Sequence, residues 1–317
     1  LIGGICCDCF NTEIWICDLD NLTWNKIKCK SCTYVRFGHT SLFDKANTKI
    51  FVYGGRAKYE KHTTRKNIYC DLEYYDIKAN KWIYPTVTNK NTIPSRRNHI
   101  AELVGNQMLI MGGIDEDGTI LNNVYYLNLS TIETSIITRW QEVAISSLTQ
   151  GPYLFGHSSS FVIQKDLLRD NKLNIYEYPP ENKNKNNTKE KFKARHRGIY
   201  IFGGKTNNDG IGGLSNEMYV LVIGEKPCFW VKINNIKGVK PMPRYFHSMN
   251  FYEPGNFLII HGGRNDFQND SFALDDTFIF DLNLLQWHKV ELYSNMSGFQ
   301  VVPRCAHNSV IYSNKLI

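Results

Sequence analysis

What the 317-residue sequence lacks narrows the field first. No stretch approaches the ~18 consecutive apolar residues of a membrane-spanning helix, so a membrane partner is not expected. The sequence opens on Leu1 rather than a methionine, and no signal peptide is expected within it. The expectation is a cytoplasmic protein, seen as a piece of something longer. No long segment carries apolar residues at helical spacing. Surplus charge is scarce once it is located. The net charge is +7, but residues 181–197 hold seven Lys/Arg and two Glu, so +5 sits there and +2 is left for the rest. That balance gives no reason to expect a nucleic-acid partner. Nine cysteines, mostly without regular spacing, read as cytosolic thiols rather than a disulfide framework.

What the chain has is aromatic side chains and glycine pairs. Its 18 Tyr, 17 Phe and 6 Trp suit pleated, half-buried surfaces. Glycine pairs at Gly3-Gly4, Gly54-Gly55, Gly112-Gly113, Gly203-Gly204 and Gly262-Gly263 each follow an apolar run, such as "IFVYGG". Each is followed by an aromatic near an Asp or Asn, and then by Trp24, Trp82, Trp140, Trp230 or Trp287. A His closes the unit, usually three residues after an Arg: "RFGH", "RRNH", "LFGH", "RYFH", "RCAH". The histidines stand at 39, 99, 157, 247 and 307. The repeat is therefore about 58–60 residues long, with one enlarged copy whose Lys/Asn-rich insertion (166–197) is expected to be disordered.

Five in-phase copies of glycine pair, aromatic, Trp and Arg-x-x-His resemble kelch repeats. The resemblance implies an all-β fold, a β-propeller of four-stranded blades, in one domain over residues 1–317. Each unit then reads as strands a to d: a after the His, b into the glycines, c with the Tyr, d with the Trp. Trp15 and Phe278 replace the strand-c Tyr, and Leu154 replaces one Arg. Glycine permits the sharp turn after strand b. Tyr and Trp are expected to wedge between blades, each burying roughly 150–250 Å². The chain starts and stops within a strand b. The intact ring is thus expected to hold five blades, or six with one outside this piece, and six is favoured.

The b–c and d–a loops of such a blade share one face, and loops on a rigid scaffold carry function. The resemblance implies a non-catalytic module that binds a protein or peptide partner there, one of acidic character. An Arg directly after the glycine pair, Arg56 or Arg264, is implied as a partner-binding residue, because its planar fork pairs carboxylates at two points. Arg65 belongs to the same basic loop, "RAKYEKHTTRK". Arg36, Arg96, Arg244 and Arg304, of the Arg-x-x-His motif, read either as partner-binding residues or as struts. Around Asp115–Asp117 the face turns acidic. The periodic histidines stand one per blade, too far apart to share a metal, so each is expected to make one structural hydrogen bond. Cys6, Cys7, Cys9, Cys29 and Cys32 read as free thiols or as a zinc set. "GGKT" at Gly203–Thr206 lacks the spacing of a phosphate-binding loop. No catalytic residue, metal or cofactor is expected. The alternatives implied by the resemblance are a propeller enzyme of the copper oxidase or sugar isomerase type, or a regulatory domain beside a fused phosphatase.

Overall fold

The computed structural model describes residues 2–6, 9–10, 13–31, 33, 35–57, 68–134, 137–162, 198–207, 213–223, 227–267, 272–291 and 301–317. The expected insertion at 166–197, Arg65, Cys7 and Cys32 lie outside them. Among the described residues the regular structure is β-strand with short 3-10 turns, and no helix is long and apolar enough to cross a membrane. The chain divides into two compact units: residues 1–143, 152–156 and 206–210, and residues 144–151, 157–205 and 211–317.

The first unit holds a two-stranded hairpin, β1 (Ile14–Asp18) and β2 (Thr23–Ile27). Two four-stranded antiparallel sheets follow. One runs β3 (Thr40–Asp44), β4 (Lys49–Tyr53), β5 (Leu72–Asp76), β6 (Lys81–Ile83). The other runs β7 (Ile100–Val104), β8 (Gln107–Met111), β9 (Val124–Asn128), β10 (Gln141–Glu142). The second unit holds β11 (Ser158–Val162), β12 (Gly198–Phe202), β13 (Met218–Val222) and β14 (Phe229–Lys232) in one sheet. Its other sheet comprises β16 (Ser248–Tyr252), β17 (Phe257–His261), β18 (Thr277–Asp281) and β19 (Gln286–Val290), with β15 (Lys237–Gly238) added parallel to β19. Each sheet is a simple meander in chain order, the a-to-d blade that the repeat predicts.

A blade covered on both sides needs apolar residues on both faces, and the burial shows it. β4 is buried over most of its length, and every residue of β12 is buried. On one face of β5, Tyr74 joins Phe51, Tyr53, Met108, Ile110, Leu127 and Trp140. On the other, Tyr75 and Trp82 meet Ile14 and Val52. Trp82, Trp140, Trp230 and Trp287 are all buried, whereas Trp24 is 56% exposed. The buried tryptophans of β6 and β19 face the preceding repeat. No repeat of its own unit stands on that side of Trp24.

The strand-c tyrosine is not the whole of the wedge. The residue just before each glycine pair reaches the next repeat as well. Tyr53 lies edge-on to His99 at 5.6 Å and to Trp140 at 4.9 Å. Phe202 does the same to His247 at 5.5 Å and to Trp287 at 5.1 Å. The glycine pair follows immediately and is clamped. A Cβ on Gly54 would stand 2.6 Å from the Arg96 carbonyl oxygen and 2.9 Å from His99 Cε1, at a φ of +65°. Gly54→Ala should therefore cost about 2–3 kcal/mol or more, from left-handed backbone strain added to a clash with main chain. A melting curve checks this, and an unchanged midpoint would contradict the clamp.

Beside each of the four buried tryptophans, the outer edge of strand d is covered by the d–a segment of the preceding repeat. The amide of Trp82 donates to Ser31 Oγ at 2.7 Å. That of Trp140 donates to Asn89 Oδ1 at 2.9 Å, while Asn89 Nδ2 donates back to the Trp140 carbonyl at 2.9 Å. That of Trp230 donates to Thr149 Oγ1 at 3.1 Å. For Trp287 the same cover is a short parallel strand, β15. Unpaired strand edges invite foreign pairing, and these segments blunt them.

Candidate functional site

The site is built on the turn where strand b ends. The amide of the second glycine donates to the carbonyl of the residue three before the next repeat's His: Gly4 to Arg36, Gly55 to Arg96, Gly113 to Leu154, Gly204 to Arg244 and Gly263 to Arg304. Only backbone is used, so Leu154 replaces Arg without loss of this bond. The bond places the residue after the glycine pair beside the residue after that Arg. Within a repeat the same two positions exchange amide–carbonyl bonds: Phe37 with Arg56, Arg97 with Ile114 and Tyr245 with Arg264, at 2.8–3.1 Å. Each unit therefore carries a continuous row of side chains on its b–c and d–a loop face. In the first unit the row reads Phe37, Arg56, Arg97, Ile114, Phe155. In the second it reads Lys205, Tyr245, Arg264, Cys305.

Beneath the row lie the motif arginines. Arg36 is almost fully buried; it donates to the Gly54 carbonyl at 2.8 Å and pairs with Asp71 at 3.1 Å and Glu73 at 2.9 Å. Burial pushes the Glu73 carboxyl up, against the pull of Arg36. Arg96, fully buried, donates to the Gly112 carbonyl at 3.1 Å and to Asn123 Oδ1 at 2.9 Å. Arg244, also fully buried, donates to the Gly262 carbonyl at 2.9 Å and forks onto both Asp276 oxygens. All three have the geometry of struts between strands b and c. Arg304 is exposed, its Nε donating to the Val302 carbonyl at 3.2 Å. In the fourth repeat, where Leu154 is in the Arg position, the acid just before strand c is Glu217, which pairs with Lys240 at 3.1 Å.

The histidines sit between the glycine pairs, and three of the five make a ring-nitrogen contact to a hydroxyl. His99 Nε2 lies 2.9 Å from Thr40 Oγ1, His247 Nε2 2.5 Å from Ser158 Oγ and His307 Nε2 3.1 Å from Ser248 Oγ. Thr40, Ser158 and Ser248 each directly follow the preceding repeat's His. Burial, then the charge of Arg36, lowers His39 to about 4. Burial alone lowers His157 to about 3, and burial followed by Arg244 takes His247 well below its ordinary value.

The two rows differ electrostatically. In the second, Asp266 gathers Lys205 Nζ at 2.9 Å, Tyr245 Oη at 2.9 Å and Arg264 Nε at 2.7 Å. Burial alone would raise that carboxyl, but these three donors outweigh it and hold it below the usual range. Burial and the Asp266 bond push Tyr245 up to about 12. Arg264 is stacked over the Phe272 ring at 4.9 Å and lies 5.9 Å from the Tyr245 ring. Held by Nε and by two rings, it leaves its terminal nitrogens unpartnered among the described residues, with the side chain 41% exposed. Phe267 and Phe272 beside it are more than half exposed. Of the residues that the sequence singled out, Arg56 and Arg264 stand in the rows. Lys205, Tyr245, Arg97 and Asp266 were missed. Their signal is positional: each is set by its offset from a glycine pair or a His.

Comparison with known proteins agrees with this architecture. The family model described as the KLHDC2/KLHL20/DRC7 Kelch-repeats domain matches residues 1–169 and 177–317. Host cell factor 1 of Homo sapiens is 25% identical over 295 residues, covering 89% of this chain and 12% of that protein. The host cell factor homolog hcf-1 of Caenorhabditis elegans is 22% identical over 260 residues, 78% of this chain and 27% of that protein. Adagio protein 3 of Arabidopsis thaliana is 28% identical over 189 residues, 60% of this chain and 23% of that protein. The chain thus spans between about an eighth and a quarter of the relatives it matches. With its meander sheets, clamped glycine pairs and a family match along nearly its whole length, the chain belongs to the kelch-repeat family.

Proposed function

We propose that this chain is a non-catalytic, cytoplasmic interaction module that holds a protein or peptide partner on the row formed by its b–c and d–a loops. Kelch repeats are generally protein-interaction modules, and the chain belongs to that family. The observation that carries the reading is Arg264. A free arginine loses side-chain entropy when it binds; this one is already fixed by Asp266, Tyr245 and Phe272, with its fork turned outward. Preorganisation of that kind favours binding without adding contacts. The exposed Phe267 and Phe272 add the aromatic surface that interfaces favour.

Selection of a displayed random peptide library on the immobilised protein tests this. Enriched peptides should bind the wild-type chain, and Arg264→Ala should weaken them about tenfold to a hundredfold, the worth of a charged hydrogen-bond pair. The melting curve should stay unchanged, because this guanidinium supports the surface rather than the core. Peptides that bind Arg264→Ala and Arg56→Ala as well as wild type would place the partner surface elsewhere.

A further inference from the structure

Among the described residues, no carboxylate bonds Arg56 or Arg97 in the way that Asp266 bonds Lys205 and Arg264. Arg56 and Arg97 are adjacent, because the Gly55 amide bonds the Arg96 carbonyl at 2.9 Å. Neither guanidinium has a hydrogen-bond or ion-pair partner among the described residues, and Arg97 Nε is sealed from solvent with no acceptor. The two charges sense each other: after burial, Arg56 is what lowers Arg97. The flanks are uncharged, with Phe37 on one side and the buried Ile114 on the other. Asp115 begins the turn after Ile114, and its Oδ1 accepts the Asp117 and Thr119 amides. Two like charges side by side, one with a buried unspent donor, are costly unless something offsets them.

We propose that Arg56 and Arg97 form a seat for a phosphomonoester group on a peptide partner. The inference rests on the interaction-module reading and names the chemistry of its ligand. A single carboxylate neutralises one of the two charges. A phosphomonoester carries close to two at neutral pH and has three strong acceptor oxygens, enough for the terminal nitrogens of both guanidinium groups. The second unit shows the contrast. Its Lys205 and Arg264 occupy row positions too, but share an internal carboxylate, so that row has less need of a dianion.

The test follows arginine Nε–H signals by NMR in the intact chain while three capped tripeptides are added: Gly-phosphoserine-Gly, Gly-Ser-Gly and Gly-Glu-Gly. Inorganic phosphate and sulfate form further arms. The phosphopeptide should produce a saturable shift of the Arg97 Nε–H signal. The glutamate peptide should bind about tenfold or more weakly, and the serine peptide not measurably. Arg56→Gln and Arg97→Lys should each lose about tenfold or more in affinity for the phosphopeptide, while Lys289→Ala, which removes an exposed charge of β19, loses none. Arg97→Lys keeps the charge and the backbone row, so a folded variant is available if a neutral one fails. Equal binding of the glutamate peptide, or phosphopeptide binding that survives both substitutions, would overturn the proposal. So would binding of sulfate and inorganic phosphate with no preference for the phosphopeptide. Success of the displayed-peptide selection with failure here would remove this seat alone. Failure of that selection would remove the reading beneath it.

Discussion

Trp287→Ala lowers stability by about 3–5 kcal/mol, while Trp24→Ala, the same position in the first repeat, changes it by no more than about 0.5 kcal/mol. Trp287 is 2% exposed and packs against Phe202 at 5.1 Å and Phe280 at 4.8 Å. Truncation removes its burial and leaves a cavity that rings on two separate strands cannot both fill. Its indole N–H is buried without an acceptor, so Trp287→Phe should lose less than half as much. Trp24 already meets water over more than half its surface. Urea denaturation of the three variants measures the differences. Equal losses at positions 24 and 287 would show that the wedge is not what stabilises these sheets.

Acid should destabilise the protein well above the range in which ordinary carboxylates titrate. The unfolded-state histidine value is about 6.5. In the fold, burial lowers His39 to about 4 and His157 to about 3, and takes His247 further down. A depressed histidine contributes stability that is fully present above about 6.5 and drains as pH falls toward the folded value. Each such ring is worth a few kcal/mol, and several act together. The carboxyls of Glu133 and Asp266, held low by their donors, add their losses only at more acidic pH. The raised Glu73 works in the opposite sense. Urea midpoints at pH 7.5, 6.5, 5.5 and 4.5 should fall steeply below pH 6.5. A flat profile down to pH 5 would refute the linkage. His247→Gln should start less stable at pH 7.5 and show a shallower slope.

The blade was legible in the sequence because its markers are local. A glycine pair after an apolar run needs positive φ, a buried Trp needs a strand, and five copies repeat the statement. The row was less legible, because adjacency there comes from a bond between repeats. Nothing around Lys205 distinguishes it from a decoy phosphate loop until Gly204 is seen bonded to Arg244, which sets Tyr245 beside it. Asp266 likewise reads as one acid among several in its loop. Its hold on Lys205, 61 residues away, is invisible to any local pattern. The roles of Arg36, Arg96 and Arg244 lay open between strut and partner contact for the same reason. The residues that enclose them come from strands b and c.

The ties between repeats described above use the glycine pair and the loop after it, the His and its neighbours, the aromatic wedges of strands b to d, and the d–a cover over strand d. None uses the connection from strand a to strand b. In the fourth repeat residues 163–197 fall there, yet β11 and β12 keep full register from Ser158↔Phe202 to Val162↔Gly198. That hairpin is the fold's tolerant port. A fluorescent reporter or an affinity handle spliced between Val104 and Gln107, or between Asp44 and Lys49, would interrupt no bridge from one module to the next.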